Sequence, residues 1–220
     1  SGLGKAYALA WARRGWRIGV VDIETAEGER TLEEVERLGG RGEFYRCDVR
    51  DLEEVQAMAG HFYASWGGVG VLVNNAGVFG AGAVGEIPID DWRRIIDVNF
   101  WGVVHGCHAF IPLMKEQGNG HIVNTASAGG VISTPETAPY NSSKAGVIAV
   151  SETIRTELSA HGIGVPVVCP TFVDTHLLSS MTLTPDTPIR DISSVAFEHS
   201  RMDAGQIAEK VVRAVEKNRL

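Results

Sequence analysis

The sequence predicts a single doubly wound α/β domain, a parallel sheet held between two layers of helices in a three-layer α/β/α arrangement. Three observations point there. Short apolar runs of strand length alternate with longer amphipathic runs of helix length, and strands separated by helices pair in parallel with helices on both faces. A pair of glycines opens the first helix, in Ser1-Gly2-Leu3-Gly4. The 220 residues fit one domain, with no linker or internal repeat to divide them. Apolar residues make up 44% and charged residues 21%, enough for a sizeable core in a globular chain.

The elements follow in order. Lys5–Arg14 is a helix immediately after the glycines, and Arg17–Asp22 (RIGVVD) is a short buried strand. Glu27–Leu38 carries Leu32, Val35 and Leu38 at helical spacing and stops at Gly39-Gly40. Glu43–Cys47 is a second strand, and Asp51 caps a helix over Leu52–Trp66. Val69–Val73 is a continuous apolar strand that runs into the turn Asn74-Asn75-Ala76-Gly77. One long helix is expected from about Asp90 to Gln117, with Pro112 bending its last part. His121–Thr125 is a strand, Tyr140–Ala160 a helix with Val147, Val150, Ile154 and Leu158 on one face, and Gly164–Cys169 a strand. Residues 175–200 are polar and irregular, as in a mobile lid, before a final helix over Ala204–Asn218.

A glycine loop at a helix start normally follows the central strand of the sheet. No such strand stands before Gly2 in this sequence, and a sheet without it would leave unpaired edges on both neighbours. The first and last strands are therefore expected outside residues 1–220, which then form a piece of a longer chain.

Composition excludes several functions. The net charge of −7 argues against a nucleic-acid or anionic-membrane partner. No apolar run approaches the roughly 20 residues of a membrane span. Cys47, Cys107 and Cys169 include no CxxC pair, so buried, reduced thiols in a cytoplasmic protein are expected rather than disulfides or a zinc knuckle. His105 and His108 lie on an apolar helix with no carboxylate close by, so they read as packing and no metal is expected. Asn141-Ser142-Ser143 has the form of a glycosylation acceptor but sits inside a helix that carries other chemistry.

That chemistry starts at the glycines. Backbone N–H groups at a helix start attract a pyrophosphate, and Gly2 and Gly4 allow its approach; the same pair would also make a plain turn. Asp22 ends the next strand. Its carboxylate can accept hydrogen bonds from ribose hydroxyls and repel a 2′-phosphate, or it can cap the turn that follows. Ser1 and Ile23 offer that phosphate no basic partner, so NAD is preferred over NADP. Tyr140 and Lys144 are four apart and share a helix face. A free phenol has a pKa of about 10, an ammonium beside it favours the phenolate, and such a tyrosine can exchange a proton with a carbonyl or alcohol. YxxxK is common by chance. Ser127 just past a strand, and Asn99 within a helix where Asn has poor propensity, make this one less so.

Together these residues resemble the short-chain dehydrogenase/reductase family. The motifs run in order over nearly the whole chain: Gly2 and Gly4, Asp22, Asp48-Val49, Asn74-Asn75-Ala76-Gly77, Asn99, Ser127, Tyr140 with Lys144, and Pro170 to Thr175. The resemblance implies a Rossmann-type fold and a catalytic set of Asn99, Ser127, Tyr140 and Lys144. Tyr140 would be the acid/base, and Lys144 would bind the nicotinamide ribose and depress the tyrosine pKa. Ser127 would position the substrate oxygen, and Asn99 would hold a water in a proton relay. The cofactor, NAD, would contact Gly2, Leu3, Gly4, Asp22, Asp48, Val49, Asn75, Ala76, Gly77, Tyr140, Lys144, Pro170, Val173 and Thr175. Thr171 departs from the family's Pro-Gly, and a β-branched residue restricts the backbone there.

The family also implies a homodimer or homotetramer, for which the apolar spread of Ile95, Phe100, Trp101, Val104 and Phe110 provides surface; the same spread would also suit one thick monomeric core. Phe172, Leu177, Leu178 and Met181 suggest an apolar alcohol or ketone as substrate, although such residues could equally serve packing. The competing readings are an NADP-linked reductase and a non-catalytic dinucleotide-binding regulator. A mere binding module needs neither Ser127 nor Tyr140.

Overall fold

The structure is a computed structural model in which residues 2–171, 173, 182–184 and 202–217 are described. Helix α1 (Gly2–Ala12) leads to β1 (Arg17–Asp22), α2 (Thr25–Arg37), β2 (Arg41–Arg46), α3 (Leu52–Trp66) and β3 (Val71–Asn74). A two-residue strand β4 (Gly80–Ala81) precedes α4 (Ile89–Ile96), α5 (Gly102–Gln117), β5 (Gly120–Thr125) and α6 (Ala138–Leu158). Short strands β6 (Ile163–Gly164), β7 (Val167–Val168) and β8 (Thr182–Leu183) and helix α7 (Ala204–Glu216) complete the described elements.

All the strand pairs are parallel: β1 with β2, β3 with β5, β5 with β6 and β7, and β4 with β8. Two apolar clusters give the layers. Leu3, Tyr7 and Trp11 of α1, Val35 of α2 and Val212 of α7 pack with Ile18, Val20 and Val123 on one face. Phe62 of α3, Phe110 of α5 and Val147 of α6 pack with Ile122 on the other. This is the doubly wound Rossmann-like arrangement.

Local chemistry ends the helices where the pattern says. Asp51 accepts hydrogen bonds from the Glu53 and Glu54 N–H groups at 2.8 and 3.2 Å, and Gly67 closes α3 at φ 77°. Asp203 and Gln206 form a capping box at the start of α7.

Several expectations need correction. The helix expected over 90–117 is two helices joined by a π-helical turn, Asp97–Trp101, while Pro112 stays inside α5 without ending it. The strand expected over 164–169 is split into β6 and β7. Pro166 lies between them, with no N–H to give a ladder, though its carbonyl accepts from the Asn124 N–H at 3.0 Å. Cys47 and Cys107 are buried, but Cys169 is exposed. The pair β4–β8 has no signal in the sequence, being only two residues long on each side. Most of the region expected as a lid, with Leu177, Leu178 and Met181, lies outside the described residues, as do Phe172 and Thr175. Among the described residues no helix is long and apolar enough to cross a membrane, and no group of three or more His, Cys, Asp or Glu could hold a metal ion.

The close approach of β2 to β1 requires a residue without a side chain. A Cβ on Gly42 would lie 2.4 Å from the Ile18 carbonyl oxygen, whereas one on Gly60 in α3 meets nothing within 4 Å. Gly42→Ala should therefore destabilise the fold by about 1–3 kcal/mol. Gly60→Ala should stabilise it by about 0.5–1 kcal/mol through helix propensity. Chemical denaturation of both variants checks the opposite signs.

Candidate active site

The carboxyl ends of β3 and β5 lie side by side, with Asn74 opposite Asn124. Asn74 Nδ2 donates to Asn124 Oδ1 at 2.9 Å, and Asn124 Nδ2 donates to Ser151 Oγ at 2.9 Å, so a chain of polar side chains ties β3 and β5 to α6. Helix α5 closes over this chain at Gly106, where a Cβ would lie 2.1 Å from Asn74 Oδ1.

Beyond Asn74 the chain turns through Asn75-Ala76-Gly77, and Asn99 fixes the turn from behind. Asn99 is fully buried in the π-helical turn. Its Oδ1 accepts from the Val78 N–H at 2.7 Å, and its Nδ2 donates to the Val78 carbonyl at 2.9 Å and to Ser143 Oγ at 3.1 Å. A π-turn inside a helix commonly marks a functional site. Here it coincides with a side chain that bonds a neighbouring loop and the helix α6. Asn99 is not part of the cleft wall; it lies behind the residues that are.

Helix α6 carries Tyr140 and Lys144 into the cleft, and Pro139 in its first turn suits a helix start. Lys144 is buried, and its Nζ donates to the Thr125 carbonyl at 2.8 Å. A Cβ on Gly77 would stand 3.6 Å from that Nζ. Burial pulls the Lys144 pKa down to about 8, with Cys169 opposing. The Lys144 Nζ is 5.9 Å from the Tyr140 ring centroid. Tyr140 stacks edge-on against Phe79 at 4.8 Å. Its phenol pKa is raised by burial and lowered to a lesser extent by a hydrogen bond with Ser127. Desolvation thus outweighs the effect of Ser127.

Ser127 lies two residues past the end of β5, and its Oγ accepts from the Gly129 N–H at 3.1 Å. The Ala128–Gly130 turn rests on α6. A Cβ on Gly130 would lie 2.7 Å from the Lys144 carbonyl carbon, and one on Gly129 would lie 2.9 Å from Asn141 Oδ1. These two glycines hold Ser127 against Tyr140. Sequence reasoning passed over them, although a Gly-Gly pair two residues past Ser127 was there to be read.

The rest of the cleft is wider. Gly4 abuts Asn75, since a Cβ there would meet Asn75 Nδ2 at 2.8 Å. Leu3 turns its side chain into the core, leaving only its backbone for a ligand. Asp22 accepts from the Glu24 N–H at 3.0 Å, so it caps the turn into α2, and it also lines the cleft. Asp48 is paired with Arg50 at 2.6 Å, which holds its carboxyl below the usual range. The Val49 carbonyl meets His105 Nδ1 at 2.9 Å. Pro170 accepts from the Ala128 N–H at 2.9 Å, and Val173 packs against the α1–α7 core. Gly2, Gly4, Asp22, Asn75, Ala76, Gly77, Ser127, Tyr140, Lys144 and Pro170 line one continuous cavity of about 1740 Å³. A glycine-bounded helix start, a carboxylate at the end of β1 and a side-chain-free turn at Gly77 fit a dinucleotide.

Comparison with known proteins agrees with this reading. The sequence profile of the short chain dehydrogenase family matches residues 1–186. The chain is 34% identical over 227 residues to "Probable oxidoreductase EphD" of Mycobacterium tuberculosis, covering 100% of this chain and 38% of that protein's length. It is 32% identical over 195 residues to a 3beta-hydroxysteroid dehydrogenase of Mediterraneibacter gnavus, covering 88% of this chain and 70% of that one. A crystal structure of a short chain dehydrogenase/reductase from Burkholderia phymatum in complex with NAD superimposes with a TM-score of 0.93 at 30% identity, covering 100% of this chain and 83% of its own.

The depressed pKa of Lys144 makes stability depend on pH. Between about 8 and the ordinary 10.5, the unfolded chain holds a proton that the folded chain has released, so stability rises with pH across that window. Below 8 both states hold the proton, and the cost of burying the charge is fully present. Relative to Lys144→Met, the native chain should gain on the order of 2 kcal/mol between pH 7 and pH 10. Urea denaturation of both chains at the two pH values measures this, and a constant difference would contradict it.

Proposed function

We propose a reaction on one premise: the chain belongs to the short chain dehydrogenase family. The reaction is the transfer of a hydride between NAD(H) and a secondary alcohol or its ketone, with Tyr140 as general acid and base. The observation that carries it is the convergence of Ser127 and Tyr140 at Gly129, where a Cβ would lie 3.6 Å from Ser127 Oγ and 3.4 Å from Tyr140 Cε1, in a cleft that also takes in the buried amine of Lys144.

The residues divide the work. Gly2 to Gly4, Asp22, Asn75 to Gly77 and Pro170 would hold the dinucleotide, which when bound supplies or takes the hydride. The Ser127 hydroxyl would hold the substrate oxygen. Tyr140 Oη would give that oxygen a proton in reduction and remove one in oxidation. Its raised pKa keeps the phenol protonated at neutral pH, which suits carbonyl reduction and makes alcohol oxidation faster as pH rises. Lys144 would carry positive charge beside Gly77 below about pH 8. Asn99 positions the Val78 end of the turn rather than facing the cleft.

An apolar substrate fits the cleft mouth, where Phe79 and Ile132 line the wall and Ile132 is 69% exposed. The steroid dehydrogenase among the relatives acts on a substrate of that kind by its name. Trp101, 46% exposed beside α5, marks the face on which a homodimer or homotetramer would assemble.

Tyr140→Phe should lower turnover about 10²- to 10⁴-fold while NADH affinity stays within about twofold. Fluorescence titration beside a steady-state assay separates the two, and full turnover in the variant would dismiss Tyr140 as the acid. Asp22→Ser should improve NADPH binding relative to NADH by about tenfold, or 1.4 kcal/mol. Tighter NADPH than NADH binding by the native chain would favour the NADP-linked reading instead.

A further inference from the structure

Helix α4 holds two strands at once. Ile95, fully buried, packs on β4, where a Cβ on Gly80 would lie 2.8 Å from its Cδ1. The neighbouring Arg94 reaches β8, and its Nη2 donates to Thr182 Oγ1 at 2.8 Å. Asp91, one turn earlier, stands with Oδ1 3.8 Å from the Arg94 Nε. The two strands then pair with each other. The Thr182 N–H donates to the Phe79 carbonyl at 3.3 Å, and the Thr184 N–H to the Ala81 carbonyl at 3.1 Å. Their contact is close: a Cβ on Gly82 would lie 2.5 Å from Thr184 Cγ2.

The far end of β4 is tied as well. The Gly82 N–H donates to the Glu136 carbonyl at 2.7 Å, and Glu136 has φ 62°, a left-handed backbone that a side chain disfavours. Thr137 Oγ1 and Asn141 Nδ2 brace that turn, both donating to the Thr134 carbonyl, at 2.9 and 3.1 Å. A strained residue persists only where its surroundings hold it. Held at both ends, residues 79–82 deliver one side chain to the cleft: the Phe79 ring meets the Tyr140 ring edge-on at 4.8 Å. A ladder of two residues on each side has little stability of its own. Among the described residues, Arg94 supplies the side-chain bond that fixes Thr182 from outside the pair, across 88 positions of sequence.

We infer that Arg94 is a positioning residue for Tyr140: by bonding Thr182 it keeps β8 on β4, and β4 in turn keeps Phe79 against the phenol ring. The inference rests on the reading of Tyr140 as acid and base. It gives the burial that raises the Tyr140 pKa a source in a remote side chain. When Phe79 loosens, water reaches the ring, the phenolate is better solvated and the pKa falls. The charged and titratable groups around Tyr140 are Lys144 on its own helix, 5.9 Å from the ring centroid, with Cys169 near it, then Glu136 ahead of the helix, and Asp91 and Arg94 on α4. Losing the Arg94 charge by itself would raise the phenol pKa, since a nearby cation favours the phenolate. The packing role and the charge therefore predict opposite signs.

The test is an ultraviolet titration of the phenol in the chain without cofactor or substrate, with stopped-flow pH jumps that read phenolate absorbance ahead of alkaline unfolding. A Tyr140→Phe counterpart of each variant subtracts Tyr7, Tyr45 and Tyr63. Phe79→Ala should lower the midpoint by about one pH unit, and Arg94→Gln and Thr182→Val each by at least about half a unit. Thr182→Ser, which keeps the hydroxyl, should restore the native midpoint. Arg94→Gln should add nothing in the Phe79→Ala background, because it acts through that ring. An unmoved or raised midpoint in Arg94→Gln or Thr182→Val overturns the proposal, as does an Arg94→Gln shift that survives in the Phe79→Ala background. Circular dichroism checks folding, and Thr182→Val, which alters no charge and little volume, decides the question if Arg94→Gln does not fold. Turnover does not enter this readout, so an unmoved midpoint overturns the positioning role and leaves the catalytic role of Tyr140 to its own assay.

Discussion

The side-chain amide of Asn99 sits where an ordinary helix would have continued, and it bonds the Val78 backbone on one side and Ser143 on the other. That pairing fixes the loop after β3 against α6. Gly77 then comes to stand close to the Lys144 amine, and Tyr140 lies within one turn of the same helix. A buried amide left without these partners would cost free energy. The π-helical turn is the geometry that lets the amide leave its own helix and find them.

The asparagines and serines behind the cleft extend this constraint into the sheet. Asn74, Asn124 and Ser151 form a relay whose members lie on β3, β5 and α6, half-buried at Asn74 and buried at Asn124 and Ser151. Such networks specify a single arrangement because their buried members, here Asn124 and Ser151, have few alternative partners. Glycines do the complementary work: Gly106 admits Asn74 against α5, and Gly129 and Gly130 let the turn after Ser127 lie on the backbone of α6. Lys144 is the most demanding group in the assembly. Its charge is buried with the Thr125 carbonyl as its hydrogen-bond partner among the described residues, and burial lowers its pKa.

Local pattern was a good guide where one face of an element decides its fate. The helix over Leu52–Trp66 has the bounds its cap and glycine imply, and Arg17–Asp22 is the strand its apolar run implies. It was a poor guide where a distant side chain intervenes. Within residues 90–117 only the poor helix propensity of Asn99 hints at the opening at Asp97, because the group that Asn99 bonds there, Val78, lies some twenty residues away. Nor does the pair β4–β8 have a periodicity to read, since two residues on each side carry none. The break at Pro166 was visible in principle: proline has no N–H to donate to a ladder. The exposure of Cys169 was not, because it depends on how the chain leaves β7.

The sequence by itself determined the alternation of elements, the family and the identity of the polar groups at the cleft, because spacing on one helix or at the end of one strand is a local property. Only the tertiary structure decided what those groups experience. Tyr140 and Lys144 share a helix face by spacing alone, yet burial drives their pKa values in opposite directions, the phenol up and the amine down. Desolvation depends on everything packed around a group, and most of what surrounds these two comes from β5, the Asn74–Gly77 turn and the Ala128–Gly130 turn, far from them in the chain.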